Sequence, residues 1–79
     1  MNHRLVSGGE LLQYLLNHGF EIGAQDWGTV IVVPRGQREE VWETWANVPY
    51  LQRRVTMGLL RQVLDRTGID WEDFWNEVG

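Results

Sequence analysis

The sequence predicts an α+β fold, a small antiparallel sheet packed against helices near residues 7–18 and 56–67. Three observations carry this. Two segments repeat leucine or valine at the three- and four-residue spacing of an amphipathic helix. Each is opened by a hydroxyl residue, Ser7 or Thr56, and closed by a glycine, Gly19 or Gly68. Between them lies Thr29-Val30-Ile31-Val32-Val33, a β-branched run that suits a pleated surface and loses rotamer freedom in a helix.

The first helix is marked at both ends. Ser7-Gly8-Gly9-Glu10 has the form of a capping box, and Val6 and Leu11 occupy the two staple positions around it. Leu11, Leu12, Leu15 and Leu16 form the apolar stripe, and Phe20 follows the terminal glycine where it can pack back on Leu15. Residues 20–36 read as a hairpin. Gln25-Asp26-Trp27-Gly28 forms its turn, with Gly28 supplying positive φ. The strand from Thr29 has no polar alternation, which predicts cover on both faces. Pro34 ends it, and Gly36 permits a sharp exit.

Residues 37–48 allow two readings. Val41, Trp45 and Val48 fall at helical spacing, Trp42 broadens the stripe, and the helix breaks before Pro49. The competing reading is a strand through Val48-Pro49-Tyr50-Leu51 at the sheet edge, where proline is tolerated. The last third is plainer. Thr56 caps a helix running to about Arg66, stapled by Val55 and Leu60, with Leu60, Val63 and Leu64 on its core face. Asp70 caps a final helix whose first turn is acidic, as the positive end of its dipole favours, and Ile69 and Phe74 staple it. The expected core is Leu12, Leu15, Leu16, Phe20, Ile31, Val33, Leu60, Val63 and Leu64. No repeat or linker divides the chain, so residues 1–79 read as one domain.

Composition narrows the function. The chain is 43% hydrophobic and 23% charged, too apolar for disorder. It has no cysteine, hence no disulfide framework, thiol nucleophile or cysteine-bound zinc. No stretch approaches the roughly 18 apolar residues of a membrane span, and no signal-peptide pattern opens the chain. A cytoplasmic protein with no membrane partner is expected. His3 reads as exposed and His18 as a favourable charge at the end of the first helix. Neither lies at a spacing that makes a triad or metal pair. Asp70, Glu72, Asp73 and Glu77 lack the glycine-bearing loop of a calcium site, and Gly8-Gly9 has neither the strand before it nor the lysine after it of a phosphate loop. No catalytic residue, metal or cofactor is assigned, and the balance lies against an enzyme.

Charge and tryptophan point to partners. The net charge is −4, and all seven cationic side chains are arginine. Arg53, Arg54, Arg61 and Arg66 form the one basic segment, flanked by Glu39, Glu40 and Glu43 before it and by Asp70, Glu72, Asp73 and Glu77 after it. An RNA- or DNA-binding patch on those arginines is the alternative reading, opposed by the flanking acids. A protein partner is favoured. Trp27 sits in a predicted turn, where it either anchors a partner or folds back over the hairpin. Trp71 and Trp75 share a face of the last helix beside carboxylates, as interface anchors with a polar rim do, whereas Trp42 and Trp45 are assigned to the core. A homodimer through Val30–Val33 is open if that strand lies at an edge.

Two segments together resemble the HicA toxin family, small bacterial RNA-cleaving proteins of toxin–antitoxin systems. One is Ser7-Gly8-Gly9-Glu10-Leu11-Leu12 running to Asn17-His18-Gly19-Phe20-Glu21. The other is Gly58-Leu59-Leu60-Arg61-Gln62-Val63-Leu64, then Thr67-Gly68-Ile69 and Glu72-Asp73-Phe74. They cover about half the chain, and most of the matching residues are caps and core leucines. The resemblance implies an α-β-β-β-α order akin to double-stranded-RNA-binding domains, with an extra short helix or strand inserted. The family's catalytic histidine follows a Gly-Ser pair at a strand start. Here that place reads Gly28-Thr29-Val30, with Val30 in the histidine's position. Val33-Pro34 is matched to the family's Val-Pro step in its third strand, which leaves Gln37–Tyr50 as an insert. The resemblance therefore implies a non-catalytic relative, or a toxin whose general base lies elsewhere.

Overall fold

The computed structural model describes residues 4–36 and 46–79. Their elements are α1 (Gly8–Asn17), β1 (Phe20–Asp26), β2 (Thr29–Pro34), β3 (Ala46–Val48), α2 (Met57–Thr67) and α3 (Trp71–Val78). The fold is α+β, with a three-stranded antiparallel sheet in the order β1-β2-β3.

All three helices start where the sequence places their caps. Ser7 Oγ accepts from the Glu10 amide at 3.1 Å while the Glu10 carboxylate accepts from the Ser7 amide at 3.2 Å, closing the capping box. Thr56 Oγ1 accepts from Leu59 N at 3.1 Å, and Asp70 Oδ2 accepts from Asp73 N at 3.3 Å. The staple residues Val6, Leu11, Val55, Leu60 and Phe74 are all buried. Local chemistry thus fixes where each helix begins, and the same residues deliver it to the core.

Pairing of β1 with β2 runs from Phe20↔Pro34 to Asp26↔Thr29, with a register shift between Ile22 and Ala24. Val30↔Val48 and Val32↔Ala46 then place four small apolar side chains on the face that meets Leu11, Leu15, Leu60, Val63 and Leu64. Val33 is buried from the opposite face, and Ile31 beside it is half-buried.

Several expectations change. A helix through Val48 is replaced at its end by β3, because Ala46 and Val48 alternate inward with Asn47 outward and complete the second side of β2. Residues 37–45, including Val41, Trp42 and Trp45, lie outside the described residues, as does His3. The strand reading for 48–51 also stops short, since Pro49 cannot continue the ladder. It is Val48-Pro49, and not Val33-Pro34, that closes the third strand. β2 is central and is paired on both sides over residues 30–32, which leaves that stretch no free edge for a second copy. On α1 the buried side is Gly8, Leu11, Tyr14 and Leu15, and Leu12 and Leu16 are only half-buried. A leucine quartet spans more arc than one sheet can cover, and Tyr14 takes the flank where α3 packs.

The chain beyond β3 is clamped under the start of α1. Gly8 N donates to Gln52 O at 2.8 Å and Val55 N to Val6 O at 2.7 Å. A Cβ on Gly8 would overlap the Pro49 carbonyl oxygen and stand 2.8 Å from its carbon. Only glycine admits this approach.

Candidate functional site

The hairpin tip and the segment after β3 lie at one end of the molecule. The tip is two residues, Trp27 and Gly28, between the paired Asp26 and Thr29. Gly28 has φ +75°, the left-handed conformation that the second central position of such a turn requires. Asp26 Oδ1 accepts from the Trp27 amide at 2.7 Å, which braces the turn from within. Trp27 itself is 94% exposed. The turn is therefore one residue later than the sequence suggests, and the indole points into solvent instead of folding over the hairpin.

Leu51 stands beside this tip. It is 64% exposed, and its Cδ1 lies 4.0 Å from where a Gly28 Cβ would be. Tyr50 holds the segment in place through its hydroxyl, which accepts from Gln25 Nε2 at 3.2 Å across the sheet. Arg53 and Arg54 follow directly and are exposed. Sequence reasoning missed Leu51. Its only signal is an apolar residue placed between Pro49 and the Thr56 cap, where no helical or strand period asks for one.

The other predicted site residues disperse. Arg61 lies over the Trp71 ring, its guanidinium carbon 4.4 Å from the centroid, on the side of α2 that faces α3. Arg66 lines a hollow of about 170 Å³ with Ala46, Asn47, Leu59, Gln62 and Val63, on the side that faces β3. The four arginines are thus not one patch, because five residues along a helix turn Arg66 well away from Arg61. Trp75 is a correction. It is 1% exposed and packs edge-on to Phe74 at 5.1 Å and Trp71 at 5.7 Å, so it offers no surface to a partner. Trp71 is half-buried between it and Arg61.

His18 ends α1 where the sequence places it and gains a partner the sequence does not show. It is the C-cap residue of α1, and its ring stacks on Tyr14 at 4.1 Å. Its Nε2 lies 2.9 and 3.0 Å from the two carboxylate oxygens of Glu77, tying α1 to α3. Burial lifts the Tyr14 phenol above its ordinary pKa, and Glu77 and Asp73 add to that. The cleft here is walled by Asp70, Asp73 and Glu77, which repel a phosphodiester. On the same side of α1 but toward its N-terminal end, Arg4 pairs with Glu10 and donates to Val78 O at 3.1 Å. That pairing, helped by the Ser7 amide, holds the Glu10 carboxyl down at about 2.

Val30 is 2% exposed and faces the helices, a hydrophobic residue among core side chains. Among the described residues no group of three or more His, Cys, Asp or Glu is placed to hold a metal ion, and no helix is long and apolar enough to cross a membrane. No family model matches the chain. No curated protein and no solved structure matches it either. The site therefore has to be judged from its own chemistry.

Proposed function

We propose that this protein is a small, non-catalytic protein-interaction module of the cytoplasm, anchored on a partner by Trp27 with Leu51 beside it. The resemblance of Ser7–Glu21 and of Gly58–Phe74 to HicA toxins supports reading it as a degenerate toxin–antitoxin or mobile-element protein. The observation that carries the reading is the exposure of Trp27 on a braced two-residue turn. A tryptophan side chain offers about 150–250 Å² of surface. At about 25 cal/mol/Å² its burial in a partner is worth about 4–6 kcal/mol before the cost of association. The turn is already ordered by its own hydrogen bonds, so little conformational entropy is lost when the ring docks.

The two alternatives have weaker support. A nucleic-acid reading keeps only Arg53 and Arg54 at this end, in a chain of net charge −4. An RNA-cleaving reading needs a general base, and His18 has its Nε2 on Glu77 beside a cleft lined by carboxylates.

The test is capture of partners from source-cell extract across a salt titration. One protein partner, recovered with the parent chain and lost with Trp27→Ala but not with Arg61→Ala, supports the reading. Recovery of RNA or DNA alone, lost steeply between about 50 and 200 mM salt, overturns it. RNA cleavage by the purified protein, abolished by His18→Ala, also overturns it.

A further inference from the structure

The arginines of the described structure fall into two kinds. Arg4 pairs with Glu10. Arg35 donates to the Leu16 carbonyl at 3.2 Å, Arg61 covers Trp71, and Arg66 is engaged as well. Arg53 and Arg54 are different. They are adjacent and exposed, and no carboxylate pairs with either among the described residues. Their place follows from the chain on either side: Leu51 lies against Gly28 at the tip, and Gln52 and Val55 are bonded to Gly8 and Val6, so Arg53 and Arg54 stand at the start of α1, two and three residues beyond the contact with the tip.

From this juxtaposition we infer that the partner segment covering Trp27 and Leu51 is acidic, an apolar-faced peptide whose carboxylates meet Arg53 and Arg54. The inference rests on the protein-partner reading and adds the chemistry of the partner. Docking on Trp27 and Leu51 brings low-dielectric surface over the two guanidinium groups. A neutral or basic partner leaves them desolvated without a counter-charge, which is costly, whereas carboxylates supply paired, charge-assisted hydrogen bonds. Arginine is also suited to such an edge, since its planar fork takes a carboxylate in two parallel bonds. The tip carries one acid of its own, Asp26, whose Oδ1 is taken up by the Trp27 amide. Asp26 and the net charge of −4 act against any anionic partner, so it is the apolar contact offered by Trp27 and Leu51 that favours a peptide over a nucleic-acid strand. Asp70, Asp73 and Glu77 line the cleft of His18 and Tyr14, and among the described residues no carboxylate forms an ion pair with Arg53 or Arg54.

The experiment measures binding of three labelled twelve-residue peptides that share their leucines and a tryptophan and differ only in carrying glutamate, glutamine or lysine. A uridine dodecamer is the fourth probe. The full chain is compared with Trp27→Ala and with the double variant Arg53→Gln, Arg54→Gln, each checked for an unchanged circular dichroism spectrum. The glutamate peptide should bind about tenfold or more tighter than the lysine peptide at low salt, and the double variant should remove most of that preference. Trp27→Ala should weaken binding of every peptide. Three peptides of equal affinity, still sensitive to Trp27→Ala, overturn the acidic partner and leave the protein-interaction reading standing. Tighter binding of the uridine strand through Arg53 and Arg54 overturns both. Binding of no probe overturns the acidic partner. Self-association in sedimentation that the double variant abolishes assigns the pair to a second copy of this chain and overturns it too.

Discussion

The hairpin tip and α3 each carry tryptophan next to acidic side chains, yet they put it to opposite ends. Trp27 is 94% exposed and Trp75 is 1% exposed. The difference lies in what the backbone already satisfies. At the tip, Asp26 and Gly28 complete the turn without help from the indole, so the ring is left over. On α3 the chain is short, eight residues, and a helix of that length holds only by packing its apolar face. Phe74 and Trp75 supply that face. An interface anchor and a core residue are therefore separated here by the conformation around them, and residue type does not distinguish them.

Mutagenesis can break or sharpen the contrast. The largest effect is expected at α3. Trp75→Ala should cost about 3–5 kcal/mol in denaturant unfolding, with α3 no longer docked. A loss below about 1 kcal/mol would move α3 to the same class as the tip. Next comes the core that both regions lean on. Leu64→Ala should cost about 2–5 kcal/mol, while the half-buried Leu16→Ala should cost clearly less, about 1–2 kcal/mol. Equal values would mean that the buried arc of α1 is wider than its packing suggests. Asp70→Ala removes the cap that starts α3 and should cost about 0.5–2 kcal/mol.

Acid titration reads the α3 side from another direction. The Glu10 carboxyl is held down at about 2 by Arg4 and by the Ser7 amide, below its unfolded value near 4.5. A depressed carboxyl stabilises the fold fully above the unfolded pKa. That contribution declines as pH falls below about 4.5 and is gone once pH passes below about 2. Glu10→Gln should flatten this part of the stability profile, and an unchanged acid limb would assign it to other carboxyls. The smallest effect belongs to the tip. Trp27→Ala should leave the melting temperature within the change expected of about 0.5 kcal/mol, because the ring packs against almost nothing.

Much of the fold was legible because it is written in local chemistry. Ser7, Thr56 and Asp70 cap helices through atoms three residues away, and Val6, Val55 and Ile69 precede them at staple positions. Such signals depend on short stretches of chain and survive without tertiary knowledge. What failed depends on distant partners. Ala46–Val48 is too short for periodicity to distinguish, and it becomes a strand because β2 offers a ladder to it. Trp71 and Trp75 share a helical spacing that serves a surface or a core equally, and the presence of α2 and Phe74 decides. The arginines Arg53 to Arg66 sit close in sequence, but the helical rotation between Arg61 and Arg66 disperses them. At the candidate site, Trp27 could be marked from its turn residues, whereas Leu51 enters only through a contact across the end of the molecule.

The clamp of the segment 49–55 on the start of α1 also has a kinetic consequence. The β1–β2 hairpin forms between neighbours in sequence, but Gly8 with Gln52 and Val6 with Val55 join stretches separated by most of the sheet. Such closures come late, since the loop entropy must be lost before the contacts form. Val6 is also the staple of α1, so the first helix gains its full support only when this closure is made. The hairpin tip can then be assembled early, while the ground beside it, where Leu51 stands, is completed by the final step of folding. In hydrogen exchange the amides of Gly8 and Val55 should open together, as one cooperative unit distinct from those of the hairpin.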